Sequence, residues 1–453
     1  MKRLAVLALS GFLLVGCTQA KTEQTTKSMD LPRDLDEKLN EPIDKIFDEW
    51  STAGKVPGMV VVAAKDGKVI FEKAYGYAYL YDADGGTYDN PVYAKTSKPR
   101  EMKTDTLFDL ASLTKAMATT QSVMKLVSEG KLDVKEKVSK YLPGFEQNGK
   151  ENVTIDQLLT HTSGLPQWEP TYLYCNNKNE QLEYIKKLSL NAEFVEEDKD
   201  RKSEHYSDFG FMTLGFVVEA ITNESMDEYA KKNIYEPLGM KHTTYLPLDN
   251  GFTKEDIAAT SLGNPYEYKM IDEKDYPDFG YDCTKDQAAF EQFNGWRKYT
   301  LIGEANDGNA AMGGNGVAGH AGLFSTASDL AILSQAMLNG GEYNGVKLYD
   351  KDTIDMFTTQ HTDTGKESEE FGYCFKLDQS WMGDSATIHA YGHDGFTGTT
   401  VAIDPDNNLS IIVLTNKMQG GFRKGDGQNP NYYWNSNVMT KQIANAIRSE
   451  LSI

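Results

Sequence analysis

Apolar residues recur at helical spacing through residues 36 to 54, then give way to runs of β-branched and small apolar residues at Val60 to Ala64 and Val69 to Tyr75. The first pattern predicts an amphipathic helix. The second predicts two strands joined at Asp66-Gly67, a pair that accepts the positive φ angles of a two-residue hairpin turn. Near the other end, Thr399 to Ile403 and Leu409 to Thr415 read as strands flanking Asp404-Pro405-Asp406-Asn407-Asn408, and the last twenty residues return to helical spacing. From about 112 to 320 the chain reads mostly as helix and loop. The pattern is that of an interrupted α/β architecture.

The N-terminus is different in kind. Met1-Lys2-Arg3 precedes an uninterrupted weakly polar stretch to Gly16, too short to span a bilayer and of the right length for a signal-peptide core. It ends in Leu14-Val15-Gly16-Cys17, which resembles a bacterial lipoprotein signal; the resemblance implies cleavage before Cys17, diacylation of its thiol and a tether to the outer face of a membrane. Residues 18 to 35 are rich in Thr, Lys, Gln and Asp, as expected of a flexible linker. The folded body is expected over 36 to 453, and no later segment approaches transmembrane length.

Composition narrows the class. The 453 residues are 40% hydrophobic and 25% charged, enough for a large core, and the formal charge of −21 disfavours nucleic acid and other polyanions. Beyond Cys17 there are Cys175, Cys283 and Cys374, an odd number without zinc-site spacing. Asp82-Ala83-Asp84-Gly85-Gly86 lacks the further ligands of a calcium loop and reads as a turn. No cofactor or metal is expected.

Chemistry enters at Ser112 and Lys115, in Leu-Ala-Ser-Leu-Thr-Lys-Ala-Met-Ala. Residues three apart on a helix share a face, so the hydroxyl and the amine fall within reach of each other. Burial in this apolar stretch should depress the lysine pKa and make it a base for a serine nucleophile. Ser128 and Lys131 share the spacing, but Gly130 marks them as a helix end. Two further motifs follow: Tyr206-Ser207-Asp208 at the start of an apolar helical run, and His393-Asp394-Gly395 in a glycine-rich strand.

In this order, Ser-x-x-Lys, Tyr-x-Asp and His-x-Gly resemble the three motifs of the β-lactamase-related serine hydrolase superfamily, in the branch of class C β-lactamases and low-molecular-weight penicillin-binding proteins. The resemblance extends through Pro57-Gly58-Met59, Lys131-Leu132-Asp133, Tyr141 to Phe145, Thr154 to Pro166 and Gly319 to Leu330. It implies an antiparallel sheet flanked by helices and built from both chain ends (about 36 to 111 and 321 to 453), with a largely helical region (about 112 to 320) inserted between them. It also implies that Ser112 attacks a carbonyl, that Lys115 assists its deprotonation and that Tyr206 shuttles the proton toward the leaving group. Asp208, His393, Gly395 and Phe396 would bind substrate, the backbone amides of Ser112 and Phe396 forming the oxyanion hole.

Two positions depart from the commonest family form, which has Asn where Asp208 stands and Lys where His393 stands. Asp208 should oppose the depression of the Lys115 pKa, and His393 removes a permanent cation that would hold a substrate carboxylate. Both argue against an efficient β-lactamase. Segments 78 to 103 and 263 to 311 read as embellishments of the kind that often border an active site; Gly303 to Ala310 reads as a surface loop in preference to a substrate contact through its asparagines, and Tyr432, Tyr433 and Trp434 as an anchor for the last helix in preference to a sugar-stacking surface. The expected function is that of a lipid-anchored, extracytoplasmic hydrolase acting through an acyl-enzyme on Ser112. Its expected substrates are small peptide or acyl compounds, first among them peptidoglycan stem peptides, as in a D-alanyl-D-alanine carboxypeptidase. Alternatives are a carboxylesterase, a weak β-lactamase, or a penicillin-binding receptor without turnover.

Overall fold

Met59 to Ala64 are apolar without alternation, the signature of a strand covered on both faces. The computed structural model describes residues 29–88, 90–197, 204–272, 283–362, 370–421 and 433–453, and it places this strand in the interior of a seven-stranded sheet. Numbering only the strands of that sheet, β1 is Gly58–Lys65, β2 Lys68–Thr87, β3 Asn90–Glu101, β4 Lys376–Leu377, β5 Tyr391–Gly395, β6 Thr399–Asp404 and β7 Leu409–Thr415. The order is β3-β2-β1-β7-β6-β5-β4, and β1 lies antiparallel to β7 with Val61 opposite Val413.

The two faces of β1 serve two cores. Met59, Val61 and Ala63 pack with Ile43 and Phe47 of helix α1 (Asn40–Thr52) and with Ile443 and Ile447 of the C-terminal helix Asn437–Leu451. Val60, Val62 and Ala64 face the inserted helical region, sharing a core with Leu110, Met117 and Phe209. Within that region α2 (Thr120–Ser128) ends at Gly130, whose φ of 66° is the expected helix stop. The helix α3 (Asp208–Thr222) is buried along most of its length, with Ser207 as its N-cap.

The expected hairpin is present, with Asp66 and Gly67 at φ 52° and 77°. The embellishment from 78 onward extends the sheet: β2 and β3 run on together as a long arm, irregular at Ala83 to Gly86, so Asp82 to Gly86 is strand rather than the expected turn. This arm leans on the second embellishment, where the Tyr88 hydroxyl accepts the Asn264 backbone N–H at 2.7 Å and its ring lies 5.8 Å from that of Trp296. The Cys175 and Cys374 thiols are free and buried. Cys17 lies outside the described residues, and no helix among the described residues is long and apolar enough to cross a membrane.

Candidate active site

Ser112 sits on a turn that the sheet grips from one side. Ala111 before it has φ 45°, a left-handed conformation, and its N–H donates to the Asp109 carboxylate at 2.9 Å. Thr397 donates to the Asp109 carbonyl at 2.6 Å and Thr399 to that of Leu110 at 3.0 Å. The approach is so close that a Cβ on Gly395 would lie 2.2 Å from the Leu110 oxygen, which explains the glycine of His-x-Gly. Burial pushes the Asp109 carboxyl up to about 6, and its second oxygen takes the Asn306 N–H at 2.6 Å.

From this turn the chain enters a π-wound segment, Lys115–Thr119, that leads into α2. The Lys115 side chain is fully buried, and its Nζ donates to Ser112 Oγ at 2.9 Å, to Asp208 Oδ1 at 2.7 Å and to the His320 carbonyl at 3.3 Å. The spacing argument for the pair therefore holds, whereas the expected depression of the lysine pKa does not. Burial alone would lower it, but the charge of Asp208, with a smaller contribution from Tyr206, outweighs burial and raises it. Lys115 rests as an ammonium in an ion pair.

The Tyr206 ring lies between two groups: Lys115 Nζ at 4.8 Å from its centroid, and the stacked His161 ring at 4.3 Å. His161 has φ 58° and accepts the Ser207 N–H on Nδ1 at 3.0 Å, which holds the tyrosine motif in place. Burial, then the field of Lys115, depresses the His161 pKa and keeps it neutral. Burial also raises the Tyr206 phenol, which stays protonated.

His393 is fully buried, its Nδ1 2.7 Å from the Asp394 carbonyl and its Nε2 without a hydrogen-bond partner among the described residues. Burial, reinforced by Lys376, lowers it to about 3, so it is a neutral ring. A lysine does stand on the neighbouring strand, where Lys376 in β4 pairs across to Gly392 in β5. Its Nζ meets Asp394 Oδ1 at 2.6 Å and lies 5.9 Å from the Tyr206 centroid.

The seven site residues expected in the folded body thus converge. Beside them opens a cavity of about 170 Å³, with Ser112, Tyr206, Asp208 and Phe396 in its wall. Sequence reasoning passed over several other walls: Trp168, Tyr266, Glu267, Met270 and Met418. It also misjudged two segments. Gly303 to Ala310 is no surface loop, since Asn306 and Asp307 line the cavity and Asn309 is buried against Thr171. Tyr433 is a cavity wall, while Trp434 lies against Lys55, 4.5 Å from Nζ to ring, and Tyr432 lies outside the described residues.

Asp208, Asp307 and His320 bring one ligand atom each within 4.8 Å of one another. These atoms are already engaged, Asp208 with Lys115 and Asp307 with His320 at 2.9 Å, so the cluster fits two polar pairs better than a metal site.

A half-buried serine bonded to a buried lysine, beside a tyrosine and a cavity, is an arrangement suited to a serine hydrolase. The chain belongs to the beta-lactamase family, whose profile matches residues 43–430. It is 38% identical over 391 residues to a Bacillus subtilis protein named N-acetylmuramyl-L-alanine amidase, covering 83% of this chain and 80% of that one. It is 36% identical over 401 residues to an Escherichia coli K12 protein that carries the provisional name D-alanyl-D-alanine carboxypeptidase (84% and 82%). A penicillin-binding protein homologue from Caulobacter crescentus superimposes with a TM-score of 0.61 at 18% identity, over 93% of this chain and 99% of that one. A family VIII carboxylesterase does so with a TM-score of 0.61 at 19% identity, over 92% and 99%. These two establish the shared fold. Together the family and its relatives identify the chain as a β-lactamase-fold serine hydrolase.

Proposed function

We propose that the protein hydrolyses amide bonds of cell-wall peptides through an acyl-enzyme on Ser112. The observation that carries this reading is Lys115 Nζ bridging Ser112 Oγ and Asp208, two residues of the cavity wall. Because Lys115 rests as an ammonium, the base is the pair: as Ser112 attacks, its proton passes to Lys115 while Lys115 yields one to Asp208. Filling the cavity with substrate removes water from the pair and brings its neutral amine–acid form within reach.

The oxyanion takes the backbone N–H groups of Ser112 and Phe396, neither of which donates elsewhere among the described residues. Collapse breaks the C–N bond. Tyr206 hands its proton to the departing amine and regains one from the Lys115–Asp208 pair. Water then adds to the ester and releases the acid and free Ser112. Amidase and carboxypeptidase names among the relatives support a wall-derived substrate, and the lipobox-like ending at Cys17 supports a lipid-anchored, extracytoplasmic enzyme. Loss of labelled-palmitate incorporation in Cys17→Ala would test the anchor.

The test of the hydrolase is intact mass of residues 21 to 453 after incubation with a fluorescent penicillin and with wall-peptide amides, Ser112→Ala serving as control. A Ser112-dependent adduct with many turnovers of an amide supports the proposal. Turnover of esters alone would move the assignment to esterase, and one equivalent without turnover would make the protein a receptor.

A further inference from the structure

We infer that the Asp307 carboxylate, held by His320, is the base that activates the hydrolytic water, so that one group forms the acyl-enzyme and another releases it. The inference rests on the hydrolase reading and adds a catalytic residue to it.

The need for a second base follows from the state in which acylation leaves the site. On that reading Lys115 is again an ammonium beside the Ser112 oxygen and bound to Asp208. An ammonium there can protonate the serine oxygen as it leaves, but it cannot take a proton from water. Tyr206 can take one only by giving up its own, which burial opposes. Three carboxyl groups stand in the described cavity wall: Asp208, Glu267 and Asp307. Asp208 is tied to Lys115. Burial, then the charge of Asp307, raises the Glu267 pKa, and its carboxyl holds a proton near neutrality. Burial opposes ionisation of Asp307 too, but His320, then the Ala310 N–H and the field of Lys115, outweigh it and lower the pKa. Two carboxyl groups in one wall, driven in opposite directions, leave one protonated and the other ready to accept.

Geometry points the same way. Asp307 Oδ1 accepts the Ala310 N–H at 2.7 Å and lies 2.9 Å from His320 Nε2. No hydrogen bond among the described residues reaches Oδ2, and the side chain keeps 19% of its surface exposed in the cavity wall, where a water can be held. His320 is fully buried, and its carbonyl accepts from Lys115 Nζ at 3.3 Å. One residue thus fixes Asp307 through its ring and Lys115 through its backbone, which makes His320 a positioning residue. Asp307 and Asp208 bring carboxylate oxygens within 4.8 Å of each other, a gap that one water spans.

The step balances. The water oxygen bonds to the acyl carbon while one water proton passes to Asp307. The carbonyl re-forms, the bond from the acyl carbon to Ser112 Oγ breaks, and Oγ takes a proton from Lys115. The proton on Asp307 returns through Asp208 to Lys115, leaving the free acid and the site as it began.

The experiment follows the two half-reactions separately on the purified full chain, with p-nitrophenyl acetate and a fluorescent penicillin as acyl donors. The nitrophenol burst and the growth of the adduct read acylation; loss of the adduct by intact mass, after the donor is removed, reads deacylation. Asp307→Asn is expected to acylate within about threefold of the wild type and to deacylate about 100-fold more slowly, so the Ser112 adduct accumulates. Asp307→Glu, which keeps the charge but displaces it, should slow deacylation about tenfold. It carries the test alone if the Asn variant does not fold. A loss shared equally by the two half-reactions would make Asp307 a structural residue and overturns the proposal. An unchanged adduct lifetime also overturns it and returns the water to Tyr206. If neither donor acylates Ser112 in the wild type, the hydrolase reading itself has failed and this inference falls with it.

Discussion

Tyr206 is flanked by two lysine–aspartate pairs of almost equal length, Lys115 with Asp208 at 2.7 Å and Lys376 with Asp394 at 2.6 Å, and they differ in what each leaves over. In the first pair the lysine is fully buried and has a donor to spare for Ser112. In the second the aspartate holds an additional partner, Asn437 Nδ2 at 3.0 Å, and the lysine faces partly outward. Proximity of opposite charges therefore does not decide function. The pair that touches Ser112 is placed to move a proton under the proposed mechanism, while the pair on the sheet edge presents a charge.

Lys115→Ala should separate the two pairs most sharply. It removes the only amine at Ser112 Oγ among the described residues, and kcat/KM is expected to fall about 10³- to 10⁴-fold, read by steady-state kinetics with circular dichroism to confirm the fold. Normal acylation by that variant would end the case for the pair as base. Asp208→Asn should lower activity at pH 7 by about 10- to 100-fold and change its pH dependence. In the wild type the ammonium–carboxylate and amine–acid forms contain the same number of protons, so kcat/KM should be flat around neutrality. The Asn variant has no acceptor for the lysine proton and loses the main influence raising the Lys115 pKa. Its rate should climb with pH until the amine is free.

His161→Phe keeps a ring against Tyr206 but strips the acceptor from the buried Ser207 N–H. A cost of about 1 to 3 kcal/mol in urea unfolding is expected, with less than a tenfold change in kcat. Asp394→Asn should act mainly on stability in acid. Burial opposes ionisation of Asp394, yet Lys376, His393 and Asn437 hold its pKa below the ordinary 3.8. Its contribution is thus present above that value and fades as pH falls below it. The drop in unfolding midpoint from pH 7 to pH 3 should be smaller in the Asn variant, by the equivalent of about 1 kcal/mol.

Much of the scaffold was legible because its signals are local. Continuous apolar strands, an Asp-Gly turn and a glycine helix stop each depend on a few neighbouring residues, and β7 begins and ends where its pattern does. The serine–lysine pair was legible for the same reason, since a spacing of three holds across the turn that leads from Ser112 into the helical segment at Lys115. The pKa of Lys115 was not, because its sign depends on whether Asp208, distant in sequence, comes within 2.7 Å. Lys376 was invisible because a two-residue edge strand carries no pattern, and its value comes from pairing with β5. The arm of β2 and β3 was missed because Gly85 and Gly86 read as punctuation, whereas cross-strand pairing carries the ladder past them.

The pairing of β1 with β7 has a consequence for the order in which the molecule comes into being. The first strand of the sheet has no partner on the side toward β7 until almost the whole chain is available, and the clamp on the Ser112 turn comes from Thr397 and Thr399, also near the end. Such closure across nearly the full chain is entropically demanding and late. On the proposed mechanism, a growing or truncated chain would carry its serine and lysine from early on but lack the oxyanion hole to use them with, so hydrolytic competence would arrive only when the last strands are laid down.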